Sequence, residues 1–213
     1  MDHVKNVNCV VIGDGPAGKS ALINVFHEKK LMDSVVSNYW ETGVFEHFST
    51  TLKIDNEDIR FNYLDTAGQH DYYGGDLFTM LFHGADVIML AFGVDGFIDN
   101  VEYFWMKELN RIFANKRLPP IILVGTKIDL RGEERSADDR PLTTYLDGVK
   151  LSKRIGARRY LECSAKTDLQ SCQNAFEAAV KEALKKEEST QDTSRSFPFL
   201  CFKGNFSESD DQQ

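Results

Sequence analysis

Residues 13–20 read Gly-Asp-Gly-Pro-Ala-Gly-Lys-Ser, a spacing suited to holding phosphate on a backbone loop. Gly13, Gly18, Lys19 and Ser20 fit the pattern G-x-x-x-x-G-K-[ST]. Small residues let main-chain N–H groups curl around anionic oxygens, and the N-terminus of a following helix adds partial positive charge. In such a loop Lys19 reaches the outer phosphates and the Ser20 hydroxyl is offered to Mg²⁺. Asp14, Gly15, Pro16, Ala17, Gly18 and Ala21 complete the set expected around the phosphates. Pro16 is the anomaly, because proline has no N–H to donate.

Two later stretches bear on which base such a loop would serve. VGTKIDL (124–130) and ECSAK (162–166) each close an apolar, strand-like run. Asp129 can accept both the ring N1–H and the exocyclic N2–H₂ of guanine, whereas adenine offers an acceptor at N1 and no amine at C2. A buried carboxylate left unpaired is costly, so this site can discriminate strongly. Lys127 can lie along the base plane, flanked by Thr126 and Leu130. The N–H of Ala165 can meet the guanine O6, with Ser164 and Lys166 shaping that loop. Taken singly, either stretch could be an ordinary strand end; their order and placement argue for a base site.

The elements that must position these groups follow from periodicity. VNCVVIG (7–13), DVIMLAF (86–92), PIILVG (120–125) and RYLEC (159–163) are short, apolar and β-branched, as expected of strands buried on both faces. FSTTLKID and IRFNYLD read as neighbouring strands joined by a turn at Asn56 to Asp58. KSALINVF follows the phosphate loop as a helix. A second helix is expected over 99–113, with Asp99 as cap and Val101, Phe104, Trp105, Leu109 and Ile112 as its apolar stripe. A third covers 172–186, with Phe176, Ala179, Val180, Ala183 and Leu184. This alternation predicts an α/β fold, a mostly parallel six-stranded sheet with helices on both faces. It is expected as one domain over 1–187, followed by an acidic, disordered tail over 188–213.

Net charge is −8, which argues against nucleic acid as a partner because phosphate-backbone binding needs a basic surface. From Glu187 onward six acids face two bases, so the tail carries about half of that charge. Cys9, Cys163, Cys172 and Cys201 have spacings that suit neither zinc nor a disulfide framework, and Cys9 and Cys163 read as core thiols. With no signal-peptide pattern and no apolar run long enough to span a bilayer, a soluble, cytoplasmic protein is expected, and it is taken to be a monomer.

GDGPAGKS, DTAGQ (65–69), GTKID and ECSAK, in this order, resemble the small GTPases of the Ras superfamily over roughly residues 4 to 186. GDG at 13–15, VFE at 44–46, Asp71–Tyr72, PIILVGTKIDLR and YLECSA look most like its Rho/Rac family, as an atypical member. The resemblance implies a P-loop NTPase G domain: a switch that binds GTP or GDP with Mg²⁺, hydrolyses GTP slowly and signals to effectors, with cytoskeletal regulation among the family's roles. It implies exchange factors and GTPase-activating proteins as further partners. Asp65 would hold Mg²⁺ through water, the Gly68 N–H would sense the γ-phosphate and Gln69 would orient the attacking water. Thr42 aligns with the threonine that coordinates Mg²⁺ beside Ser20 only in the GTP state, and Tyr39 is retained near the nucleotide. Gln69, Lys19 and Thr42 form the implied catalytic set.

The departures are as informative. In the family, the N–H at the Pro16 position points at the oxygen bridging the β- and γ-phosphates, so its loss predicts slow intrinsic hydrolysis. The alternative is a GTP-loaded pseudo-switch or scaffold with negligible turnover. The gap from Lys19 to Thr42 is longer than in Rac-like proteins, and Leu31, Met32 or Val35 would have to cover the guanine. RGEERSADDRPLTTY is longer than a plain Ras-type connection and shorter than the usual Rho insert helix. The chain finishes SESDDQQ, with Cys201 away from its end, so no C-terminal prenyl anchor of the C-a-a-X kind is expected. Acylation of Cys201 within FPFLCFKG is the remaining route to peripheral membrane association.

Overall fold

A computed structural model describes residues 4–32, 45–66, 76–134, 136 and 140–187. Six strands form one sheet in the order β2-β3-β1-β4-β5-β6. They are β1 (Lys5–Ile12), β2 (Phe45–Ile54), β3 (Glu57–Thr66), β4 (Val87–Gly93), β5 (Ile121–Thr126) and β6 (Arg159–Glu162). β2 runs antiparallel to β3, and every other neighbouring pair is parallel. The helices are α1 (Lys19–Glu28), α2 (Asp76–Leu81), α3 (Lys107–Ile112), α4 (Tyr145–Arg154) and α5 (Leu169–Glu187). The mostly parallel α/β fold expected from the alternation is the one observed.

Side chains on alternate positions of the central strands enter two cores. Val7, Cys9 and Val11 of β1 pack with α1 and α5 on one face, where Phe26 stacks on Phe176 at 4.0 Å between ring centroids. Val10 and Ile12 pack on the other face with Trp105, Leu109 and Leu151. All residues of β4 and β5 are buried, as parallel strands covered on both sides must be. The free thiols of Cys9, Cys163 and Cys172 are core side chains.

Several local expectations shift. β6 is the edge strand and is only partly buried, because among the described residues no further strand pairs with its outer side; the sequence reads it as buried. The β2–β3 turn falls on Asp55 and Asn56, both at positive φ (48° and 67°), one residue earlier than expected. That two-residue geometry matches the right-handed strand twist, and Asp and Asn tolerate it. Asp99 is already helical rather than a cap, and Val101–Met106 form a π-helical turn leading into α3. Thr144 caps α4 in a reciprocal box with Asp147, and between Gly132 and Tyr145 the described residues form no further helix.

Phe176 joins Phe26, Phe61 and Tyr63 in one aromatic cluster. Phe176→Ala is expected to lower the unfolding free energy by about 3–5 kcal/mol, read from chemical denaturation; a loss under about 1 kcal/mol would show that this cluster does not hold α5 to the sheet.

Candidate functional site

β1, β4 and β5 end at the same edge of the sheet, and the loops that follow them meet there. After β1 the chain turns at Gly13, whose φ is 144° and whose missing Cβ would otherwise strike the Ala91 carbonyl of β4. Gly15–Ala17 form one 3₁₀ turn, closed by the Ala17 N–H to the Asp14 carbonyl at 3.0 Å. Pro16 sits at the start of that turn, where its fixed φ is compatible. It brings no N–H of its own to that turn. Gly18, in the left-handed region at φ 76°, passes the chain into α1. The first N–H groups of α1 have no intrahelical acceptor, and its first turn holds no acid to compete for them.

Lys19 is 3% exposed and its Nζ donates to the carbonyls of Gly13 and Asp14, each at 2.9 Å. Burial pulls its pKa down to about 8, opposed by the charges of Asp65 and Asp14. Asp65, near the end of β3, is buried, with its pKa raised chiefly by desolvation, while a hydrogen bond from Ser20 and the Lys19 charge hold it down. One of its carboxylate oxygens, Oδ1, is fully enclosed without a hydrogen-bond partner. An orphaned carboxylate oxygen beside a serine hydroxyl fits a hard divalent cation that completes its shell with phosphate oxygens and water. Among the described residues no three His, Cys, Asp or Glu side chains come together to hold a metal.

The base end is equally ordered. The buried Ser164 hydroxyl donates to Asp129 Oδ1 at 2.6 Å and accepts the N–H groups of Lys166 and Thr167 at 3.2 and 3.1 Å. One side chain thus sets both the Asp129 carboxylate and the 164–167 turn. Arg131 grips Glu162 through two nitrogens (2.6 and 2.8 Å) and also donates to the Thr143 carbonyl. It ties the short 3₁₀ segment Ile128–Gly132, which carries Asp129 and Leu130, to β6. Lys127 lies in the left-handed region at φ 60°, its stem passing beside Gly18 and its ammonium paired with Asp95 at 3.1 Å.

A cleft of about 170 Å³ is lined by Gly18, Ala21, Thr126, Lys127, Asp129 and Ala165, among others. Three separated stretches of sequence thus meet around one cavity. Met32 lines it as well, its N–H bonded to the Ala165 carbonyl at 3.0 Å. Of the residues expected to cover the base, Met32 is at the cleft, Leu31 is outside its lining and Val35 lies outside the described residues. Tyr39, Thr42, Gly68 and Gln69 also lie outside the described residues, as does Cys201.

Family comparison matches the Ras family over residues 8–185. The chain belongs to the Ras family. As a member it is a small GTPase, a guanine-nucleotide-binding switch on a P-loop GTPase fold. Among the described residues no helix is long and apolar enough to cross a membrane.

Sequence reasoning missed the residues that hold this Ras-family site from behind. Asp14 Oδ1 accepts the Trp105 indole N–H and Oδ2 the Asn100 amide, both at 2.8 Å. Trp105 reads in sequence as one more apolar stripe residue; the available signal was that a buried tryptophan N–H needs an acceptor. Asp95 carries no local signal, and Arg131 enters the sequence reading only as the last residue of PIILVGTKIDLR.

With its pKa near 8 against an ordinary value near 10.4, Lys19 of the free protein is about half neutral at pH 8 and largely neutral between about pH 9 and pH 10. The unfolded chain binds more protons in that window, so stability of the free protein rises with pH across it. Pairing with phosphate restores the charge, so nucleotide binding takes up a proton there. Calorimetry in buffers of different ionisation enthalpy should show most of one proton taken up with GDP at about pH 8.5, little at about pH 7, and none at either in Lys19→Arg. Equal uptake at both pH values would contradict the assignment.

Proposed function

We propose that this chain is a Rho/Rac-like small GTPase that cycles between GDP and GTP with Mg²⁺, hydrolyses GTP slowly and engages effectors when loaded. What supports the guanine-nucleotide part of this reading is the cleft shared by Gly18, Lys127, Asp129 and Ala165, because residues of the phosphate loop and of both base motifs, far apart in sequence, line one cavity. Asp129, pinned by Ser164, reads the guanine edge; Ala165 and Lys166 close over O6; Thr126, Lys127 and Leu130 frame the base. Asp14, Gly15, Pro16, Ala17, Gly18 and Ala21 surround the phosphates, and Lys19 neutralises their charge. Ser20, Thr42 and, through water, Asp65 would hold Mg²⁺, which supplies charge neutralisation at the phosphates. By the family resemblance Gln69 would orient the attacking water, the Gly68 N–H would sense the γ-phosphate and Tyr39 would lie near the nucleotide.

The Rho/Rac assignment rests on GDG at 13–15, TKID at 126–129 and YLECSA at 160–165. It brings exchange factors, GTPase-activating proteins and cytoskeletal effectors with it as partners, for a cytoplasmic monomer whose G domain covers 1–187 and is followed by an acidic tail. Pro16 favours a second reading, a GTP-loaded module with negligible turnover. The nucleotide that copurifies separates the two, GDP supporting the cycling switch and GTP the loaded module.

Calorimetric titration with GDP, a GTP analogue and ADP, with and without Mg²⁺, tests the first reading. The guanine nucleotides are expected to bind and ADP not to; equal affinity for ADP would sink it. Asp129→Ala should weaken GDP binding at least about a hundredfold, since the site loses both contacts that mark guanine. For hydrolysis, Pro16→Ala is expected to accelerate the single-turnover rate by roughly a hundredfold, the size of one restored donor at developing charge. An unchanged or slower rate in that variant would show that the missing N–H is not what limits turnover.

A further inference from the structure

Asp14 puts a carboxylate inside a loop whose ligand is anionic. Both of its oxygens are occupied, one by the Trp105 indole N–H and one by the Asn100 amide. The two donors lie five residues apart at the entry to α3, on the π-helical turn Val101–Met106 and the residue before it. Residues five apart stand about 140° around an α-helix, so a regular helix would turn one of these donors away. A turn closed by i→i+5 bonds returns them to one side, and such turns occur frequently at functional sites. The irregularity is therefore what lets one helix hold both carboxylate oxygens.

The same loop carries Lys19, which is buried, bonded to the Asp14 backbone carbonyl, and acted on by the Asp14 charge. A carboxylate released from Asn100 and Trp105 is able to pair with that ammonium and to repel incoming phosphate. We propose that Asn100 and Trp105 are positioning residues for nucleotide binding: they hold the Asp14 carboxylate off Lys19, so that the π-turn of α3 sets the electrostatics of the phosphate loop. This rests on the guanine-nucleotide reading of the site. Neither residue touches nucleotide; both act through Asp14.

The test is a mutant cycle on the full chain, read as GDP affinity with Mg²⁺ by calorimetry, with melting curves to check folding. The variants are Asn100→Ala and Trp105→Phe, each made with Asp14 intact and again with Asp14→Ala. With Asp14 intact, each is expected to weaken GDP binding roughly tenfold, the scale of one hydrogen bond to a charged group. With Asp14→Ala, the same substitutions are expected to change affinity by less than about twofold, because the group they restrain is gone. A purely structural role for Trp105 would show in both backgrounds. Losses that persist with Asp14→Ala overturn the proposal, as does unchanged GDP affinity in both variants with Asp14 intact. Asn100 is only half-buried, so its variant keeps the test decisive if Trp105→Phe unfolds. A wild-type chain that ignores GDP would remove the guanine reading and this proposal together, whereas wild-type binding without the donor effect removes this proposal alone.

Discussion

The buried hydroxyl of Thr126 lies 2.6 Å from the Ala17 carbonyl and 3.2 Å from that of Phe92. It binds the end of β5 to the phosphate loop and to β4. The Thr126 carbonyl in turn accepts the Val94 N–H, so the ends of β4 and β5 and the phosphate loop are joined at one residue. Distances between phosphate loop and base loop are thereby set by the most deeply buried part of the sheet. Loops are ordinarily the most mobile part of a domain; here they inherit the rigidity of β5, whose six residues are all buried.

What was legible in the sequence is what local spacing controls. Gly13, Gly18, Lys19 and Ser20 announce their chemistry within eight residues, because a phosphate cradle is made from consecutive backbone groups. The parallel strands were legible because burial on both faces leaves an unbroken apolar run. Asp129 and Ser164 could be read as belonging to one base site from their order, though not that one hydroxyl would serve both loops. The failures have a common physical source. Asn100 and Trp105 meet Asp14 across 86 and 91 residues of chain, and no periodicity encodes a contact of that range. The π-turn that brings them together replaces the helical period on which the stripe of Val101, Phe104 and Trp105 was read. β6 was misjudged because composition reports apolarity but not whether a further strand will cover an edge.

The buried charges near the phosphate loop show why its neighbours are arranged so closely. Desolvation drives Lys19 down and Asp65 up, each toward its neutral form, while their mutual attraction opposes the drift. The Ser20 hydrogen bond covers only part of the Asp65 demand, since Oδ1 keeps no partner. A buried polar atom left in that state costs free energy. Such a site favours a ligand that brings anionic oxygens for the lysine and a cation for the carboxylate at the same time, which is the composition of a metal-bound nucleoside di- or triphosphate. Asp14 would relieve the lysine without any ligand if its own carboxylate were loose. Holding it against α3 keeps that relief reserved for phosphate, and Asp65 Oδ1, left without a hydrogen-bond partner, adds a demand that a bound cation would meet.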